Sequence, residues 1–209
     1  MNSRFDNIFC INLDRRPDRW EDSLIEFSKN NIEVERVSAV DGALITSKGE
    51  LNQKNKRIKP EEIGCSLSHL KVLKLIVERD YKKAMILEDD VIFRDDISTF
   101  FNANYHLIPE DYDMVSLCSS YIVKPVTINS VIVKNMGSYT SGSYMITKEF
   151  AKICIQKIEE MYLRRAVDVV YSILQPDHSC YSFNPNIAWQ RGNHSDIQGK
   201  FMDYKSLIP

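Results

Sequence analysis

Glycine and proline are scarce in this chain, with seven of each among 209 residues. So few breakers exclude collagen-like and low-complexity classes and leave room for regular elements. Long apolar runs are missing too. No window approaches the roughly 18 apolar residues of a membrane span, and the opening segment "MNSRFDNIFCINLDRR" has no stretch suited to a signal peptide. A cytoplasmic protein without transmembrane segments is therefore expected. The formal net charge is only -2, so no whole-chain field draws the protein onto nucleic acid, and none is expected as a partner. The five cysteines (Cys10, Cys65, Cys118, Cys154, Cys180) are odd in number, widely spaced and contain no CxxC pair. Four sit among apolar neighbours, as in "NIFCINL" and "MVSLCSS", and read as reduced core thiols, which argues against a cysteine-liganded zinc site.

What is present suits one α/β domain with a sizeable core. "NIFCINL" (7–13) reads as a buried strand. Pro17 then opens an amphipathic helix to Asn30, with Trp20, Leu24 and Phe27 on one stripe. "IEVERVSAV" (32–40) is the next strand, and Asp41-Gly42 a turn. Residues 43–59 lack a period and read as a loop. After Pro60, the residues Ile63, Leu67, Leu70, Leu73 and Val77 form a helical stripe, with His69 near its margin. "KAMILEDDVIF" (83–93) reads as one strand with an acidic downstream end. A short helix around Phe100–Leu107, strands over 112–120, 126–134 and 141–147, a helix at 148–163 capped by Thr147, and a short helix at 167–174 complete the pattern. Alternation followed by a strand-rich half predicts a mixed, mostly parallel central sheet flanked by helices.

The chemistry gathers at Glu88-Asp89-Asp90. Three adjacent carboxylates repel unless something neutralises them, and a hard divalent cation with oxygen ligands does so. Ligands also collect at the carboxyl ends of strands in open α/β sheets. The plainer alternative is an acidic strand exit met by water and lysines. Strand alternation puts Glu88 and Asp90 on one face and Asp89 on the other.

"MILEDDV" resembles the DxD-type motif of GT-A-fold glycosyltransferases. Together with "INLDRRPDRW" (11–20), "EEIGCSLSHLKVL" (61–73) and "SGSYMITKEFA" (141–151), in that order, it resembles glycosyltransferase family 25. Weaker echoes follow in "AVDVVYSIL" and "QRGNHSDI". The resemblance implies a single GT-A-like catalytic domain over 1–209, with a nucleotide-binding part at about 1–95 and an acceptor-side part at about 96–209. It also implies a UDP-sugar donor, inverting transfer of a hexose such as galactose or glucose, and an acceptor hydroxyl on a glycan, glycolipid or hydroxylysine-type protein. Glycolipid substrates would bring the chain to a membrane peripherally. The oligomeric state is left open.

Within that reading Glu88 and Asp90 are metal ligands for Mn²⁺ or Mg²⁺, with Asp89 nearer the sugar or ribose hydroxyls. His194 is a further candidate ligand, with Asp196 as its rival. Asn12, Leu13, Arg16 and Arg19 lie where a nucleotide docks beyond the first strand, and arginine suits phosphate. Asp41 is a candidate for base or ribose, or simply a turn residue. Ser68 and His69, expected on the first turns of their helix, are candidates for diphosphate contact. Asp168 is the candidate general base, with helix capping as the alternative. A catalytically silent domain of the same fold is the second reading of the whole chain.

Overall fold

The structure, a computed structural model, describes residues 1–47, 58–139, 141–195 and 200–202, with 46–47, 193–195 and 200–202 by backbone alone. Its first half comprises β1 (Asn7–Asn12), α1 (Pro17–Lys29), β2 (Glu35–Ser38), α2 (Gly42–Ser47), α3 (Pro60–Glu78), β3 (Lys83–Glu88) and β4 (Val91–Phe93). There follow α4 (Ile97–Asn104), β5 (Met114–Ser116), β6 (Ser120–Tyr121), β7 (Val126–Thr127), β8 (Ile132–Lys134), β9 (Ser138–Tyr139) and β10 (Ser143–Thr147). The remainder is α5 (Lys148–Met161), α6 (Val167–Leu174), β11 (Cys180–Phe183), β12 (Ala188–Gln190), β13 (Asn193–Ser195) and β14 (Lys200–Met202).

Eight strands form one sheet in the order β2-β1-β3-β10-β5-β11-β8-β7. Strands β2, β1 and β3 are mutually parallel, β10 opposes both β3 and β5, and β11 runs with β5. β8 opposes β11 and β7 opposes β8. Six of the eight strands thus run one way, the mixed, mostly parallel sheet that the sequence pattern predicts.

Helices cover both faces, and strand alternation decides which residue meets which helix. Ile8 and Cys10 of β1 and Met85 and Leu87 of β3 pack with Phe27 of α1 and Phe101 of α4. Phe9, Ile11, Ala84 and Ile86, one residue out of step, pack with Leu73 of α3, Phe150 of α5 and Val170 of α6. Burial on both faces explains why these strands read as continuous apolar runs.

Several boundaries differ from expectation. The strand expected over 83–93 stops at Glu88. Asp89-Asp90 form a turn, and β4 leaves the main sheet to pair with β12. The strand expected over 32–40 is confined to β2, and part of the expected 43–59 loop is α2, with 48–57 outside the described residues. The 126–134 strand is a hairpin, β7 and β8. Helix α6 has the expected bounds, and Thr147 caps α5 through the Phe150 N–H at 3.4 Å.

Gly42 and Gly64 show why the α2–α3 corner needs small residues. A Cβ on Gly64 would lie 2.7 Å from both the Val40 carbonyl oxygen and the Gly42 nitrogen. Helix α3 crosses the β2–α2 connection at backbone contact.

Candidate active site

The acidic segment lies where β3 ends, and its backbone is fixed from three directions. The Glu88 N–H donates to the Gly142 carbonyl at 2.8 Å, and the Arg191 N–H to the Asp90 carbonyl at 2.6 Å. The Ser23 hydroxyl of α1 donates to the Asp89 carbonyl at 2.7 Å. Since the strand stops at Glu88, alternation does not govern where the three carboxylates point.

Two sets result. Asp89 and Asp90, only 7% and 8% exposed, converge on Arg19, whose Nη2 is 2.5 Å from Asp89 Oδ1 and 2.8 Å from Asp90 Oδ2. Asn12, at the end of β1, donates to Asp89 Oδ2 at 2.6 Å. Burial raises the Asp89 pKa despite Arg19 and Asn12. Burial pushes Asp90 up to about 7; Arg19 opposes the shift, while the neighbouring Glu88 and Asp89 charges add to it. Asp90 Oδ1 is buried without a hydrogen-bond partner, although the Gln190 amide, which packs over Gly142, eases its charge.

Glu88 faces the opposite way, toward α3. Its Oε1 is 3.1 Å from His69 Nε2 and accepts from the Ser141 hydroxyl at 2.9 Å. Burial works to raise its pKa, but the His69 and Ser141 hydrogen bonds and the His69 charge outweigh it and hold the carboxyl below its usual value. His69 Nδ1 lies 2.9 Å from the Tyr144 hydroxyl, itself 2.8 Å from that of Tyr171. Asp168, half-buried on the first turn of α6, accepts from the Val169 N–H at 2.7 Å. Its pKa is raised chiefly by burial, with the charges of Glu88 and Glu62 adding and the Val169 bond opposing.

The remaining candidates are distributed as follows. Arg16 pairs with Asp18 at 2.8 Å, and Leu13, half-buried, accepts the Arg16 N–H at 2.9 Å in the loop after β1. Asp41 pairs with Arg15 at 2.7 Å and accepts the Ala43 N–H at the start of α2. Ser68 is committed within the fold, donating to the Gly64 carbonyl and accepting the Val40 N–H. Helix α3 begins at Pro60, so Ser68 and His69 sit about two and a half turns in. That is past the free N–H groups on which the anion-binding expectation rested, and His69 is 1% exposed rather than marginal. The His194 backbone pairs with Phe201 in a two-stranded ribbon; its side chain, and all of Asp196, lie outside the described residues.

Four contributors escaped the sequence reading. Arg36 donates from Nε to Asn12 Oδ1 at 2.9 Å and fixes that amide, a role that nothing in "IEVERVSAV" signals. Gln190 and Ser141 lie in segments noted for resemblance, yet their aim depends on loops. Cys65 precedes His69 by four residues, a helical spacing that was legible.

The sequence profile described as glycosyltransferase family 25 (LPS biosynthesis protein) matches residues 5–171. Procollagen galactosyltransferase 2 of Mus musculus is 38% identical over 127 residues, 54% of this chain and 19% of that protein. A family 25 member of Anopheles gambiae is 26% identical over 88% of this chain and 33% of its own length. An inactive family 25 member 3 of Homo sapiens is 33% identical over 43% of this chain and 17% of that protein. The chain thus spans about a sixth to a third of the length of these relatives. Among solved structures, the glycosyltransferase GlyE of Streptococcus pneumoniae has a TM-score of 0.49 and 11% identity over 84% of this chain and 45% of that one, too distant to bear on function. With most of its length matched by the family profile, the chain belongs to glycosyltransferase family 25.

Proposed function

We propose that this chain is a metal-dependent glycosyltransferase that moves a hexose, galactose or glucose, from a UDP-sugar to an acceptor hydroxyl with inversion. The observation that carries this reading is the buried Asp89–Asp90 pair, with Asp90 Oδ1 unpartnered at the carboxyl end of a parallel strand. Carboxylate oxygens alone suit a hard cation of the Mn²⁺ or Mg²⁺ class, and the pair fits such an ion better than Glu88 does, since Glu88 is turned toward His69. Bound there, the cation supplies Lewis-acid stabilisation of the charge that develops on the leaving diphosphate.

The chain's own residues carry the other tasks. Asp168 takes the proton of the acceptor hydroxyl, whose oxygen forms the new bond to the anomeric carbon. The bond from that carbon to the diphosphate breaks, and UDP departs with the electron pair. A raised pKa suits Asp168 to this role, because proton abstraction is most effective near the working pH. Arg16 and Arg19, beyond β1, bring positive charge to the diphosphate side. The mouse relative's name gives galactose and procollagen for that protein. For this chain the acceptor class is a glycan, glycolipid or protein hydroxyl, and a cytoplasmic setting belongs to the same proposal. Among the described residues no helix is long and apolar enough to cross a membrane.

A panel of UDP-sugars screened by calorimetry and mass spectrometry, with and without Mn²⁺, tests the reading. Metal-dependent transfer or donor hydrolysis is expected, lost on the order of a hundredfold or more in Asp90→Ala. Metal-dependent turnover that survives Asp90→Ala rejects the site. A second reading, a silent domain that binds nucleotide-sugar without turnover, is favoured by the bridging of both carboxylates by Arg19 and by the inactive human relative. Tight binding without turnover across the panel would support it.

A further inference from the structure

Cys65 and His69 stand one helical turn apart on the same face of α3, opposite the end of β3. The Cys65 sulfur, a His69 ring nitrogen and a Glu88 carboxylate oxygen all lie within 4.8 Å of one another. Sulfur, imidazole and carboxylate form a mixed donor set of the kind borderline-soft cations prefer, unlike the all-oxygen pair at Asp89 and Asp90.

We propose that Cys65, His69 and Glu88 form a second cation site, selective for thiophilic divalent ions of the zinc class and separate from the Asp89–Asp90 pair. Ligands on a tetrahedral zinc ion stand roughly 3.3–3.8 Å apart, given metal–ligand bonds of about 2.0–2.3 Å. His69 and Glu88 already stand 3.1 Å apart, and the Cys65 sulfur needs to approach them by about 1.5 Å at most, within the reach of side-chain rotation.

The surroundings supply what an outer shell must. Tyr144, fully buried, faces His69 Nδ1 at 2.9 Å and is itself tied to Tyr171. In the free protein Nε2–H faces the Glu88 carboxylate as its donor; with a cation in that place, a hydrogen bond from Nδ1–H to the Tyr144 hydroxyl would hold the ring with its Nε2 lone pair toward the metal, as ligating histidines require. Ser141 donates to the same Glu88 oxygen that faces His69. Asp168 adds negative charge felt by both Cys65 and Glu88. Three protein ligands leave one tetrahedral position open. Binding displaces the proton of the Cys65 thiol and the Nε2 proton of His69, so affinity rises with pH.

The remaining cysteines, Cys10, Cys118, Cys154 and Cys180, are buried, so a thiolate–metal signal from the folded chain reports Cys65. Titration of the full chain with Co²⁺ is expected to give a thiolate-to-cobalt charge-transfer band that saturates at one equivalent and is quenched by Zn²⁺. The band persists in Asp90→Ala and vanishes in Cys65→Ser. Tyr144→Phe weakens Zn²⁺ binding by about 10–100-fold. Should these variants fold poorly, the unaltered protein still decides: Zn²⁺, but not Mn²⁺, slows alkylation of Cys65 by iodoacetamide, read by mass spectrometry. A folded protein that shows no band, a band that survives Cys65→Ser, or labelling indifferent to Zn²⁺ overturns the proposal. None of these readouts needs turnover, so this site stands or falls apart from the transferase reading.

Discussion

Asn12 and Asp89 are 77 positions apart and joined by a buried hydrogen bond of 2.6 Å from the amide nitrogen to the carboxylate. The bond links the ends of two parallel neighbours, β1 and β3, and with Arg19 it opposes the rise in pKa that burial causes in Asp89. Asn12 also accepts from Arg36 and donates to the Arg16 carbonyl. One side chain thus positions both the acid segment and the loop after β1.

Replacing Asn12 by leucine keeps the volume and removes these bonds at once. Asp89 Oδ2 and Arg36 Nε lose their partner, at a cost of about 1–3 kcal/mol. Urea denaturation should show a lower midpoint with an unchanged slope. A variant as stable as the parent would mean that solvent replaces Asn12 without loss.

Asp168 makes a pH prediction with a definite sign. Its pKa is raised above the ordinary 3.8, and a base acts only when ionised. The rate kcat/KM should therefore climb with pH through a value above 3.8, and Asp168→Asn should lose that limb with about 10²–10⁴-fold of the rate. Stability runs the other way. The folded state holds this proton more tightly than the unfolded one, so the group's contribution falls as pH rises from 3.8 through the raised value. Asp168→Asn should flatten that decline. A retained kinetic limb in the variant would move the base elsewhere.

Gly64→Ala tests the crossing of α3 over the β2–α2 connection. The added methyl meets backbone atoms at 2.7 Å, which cannot swing aside as a side chain can. Overpacking of this kind costs about 1–3 kcal/mol, and in a chain of this size each kcal/mol lowers Tm by about 2–4 °C. Calorimetry should find the drop, although alanine is intrinsically the better helix former. A rise in Tm would show that the crossing relaxes.

Much of this was legible in the order of residues. Two-sided burial wrote itself into "NIFCIN" and "KAMIL" as unbroken apolar runs, and the 3.6-residue period placed α1 and α3. The break at Asp89-Asp90 was not legible, because the apolar run resumes with Val91 and a period of two continues through a turn unmarked by glycine or proline. Local pattern also missed the burial of His69, since Tyr144 and Glu88, which satisfy its two nitrogens, lie on other elements.

By itself, then, the sequence determined the class of fold, the order of its main elements, and the acid cluster at the end of β3, because each depends on neighbours within a few positions; the buried side of α1 was not among them, since Leu24 of the expected stripe is exposed while Ser23 and Glu26 are buried. Tertiary structure alone decided how that cluster divides. Arg19 and Asn12 draw Asp89 and Asp90 one way, while His69 and Ser141 draw Glu88 the other. Those partners come from four elements or loops, each distant in the chain from the acid segment, and the direction of a buried carboxylate is set by which distant donors satisfy it.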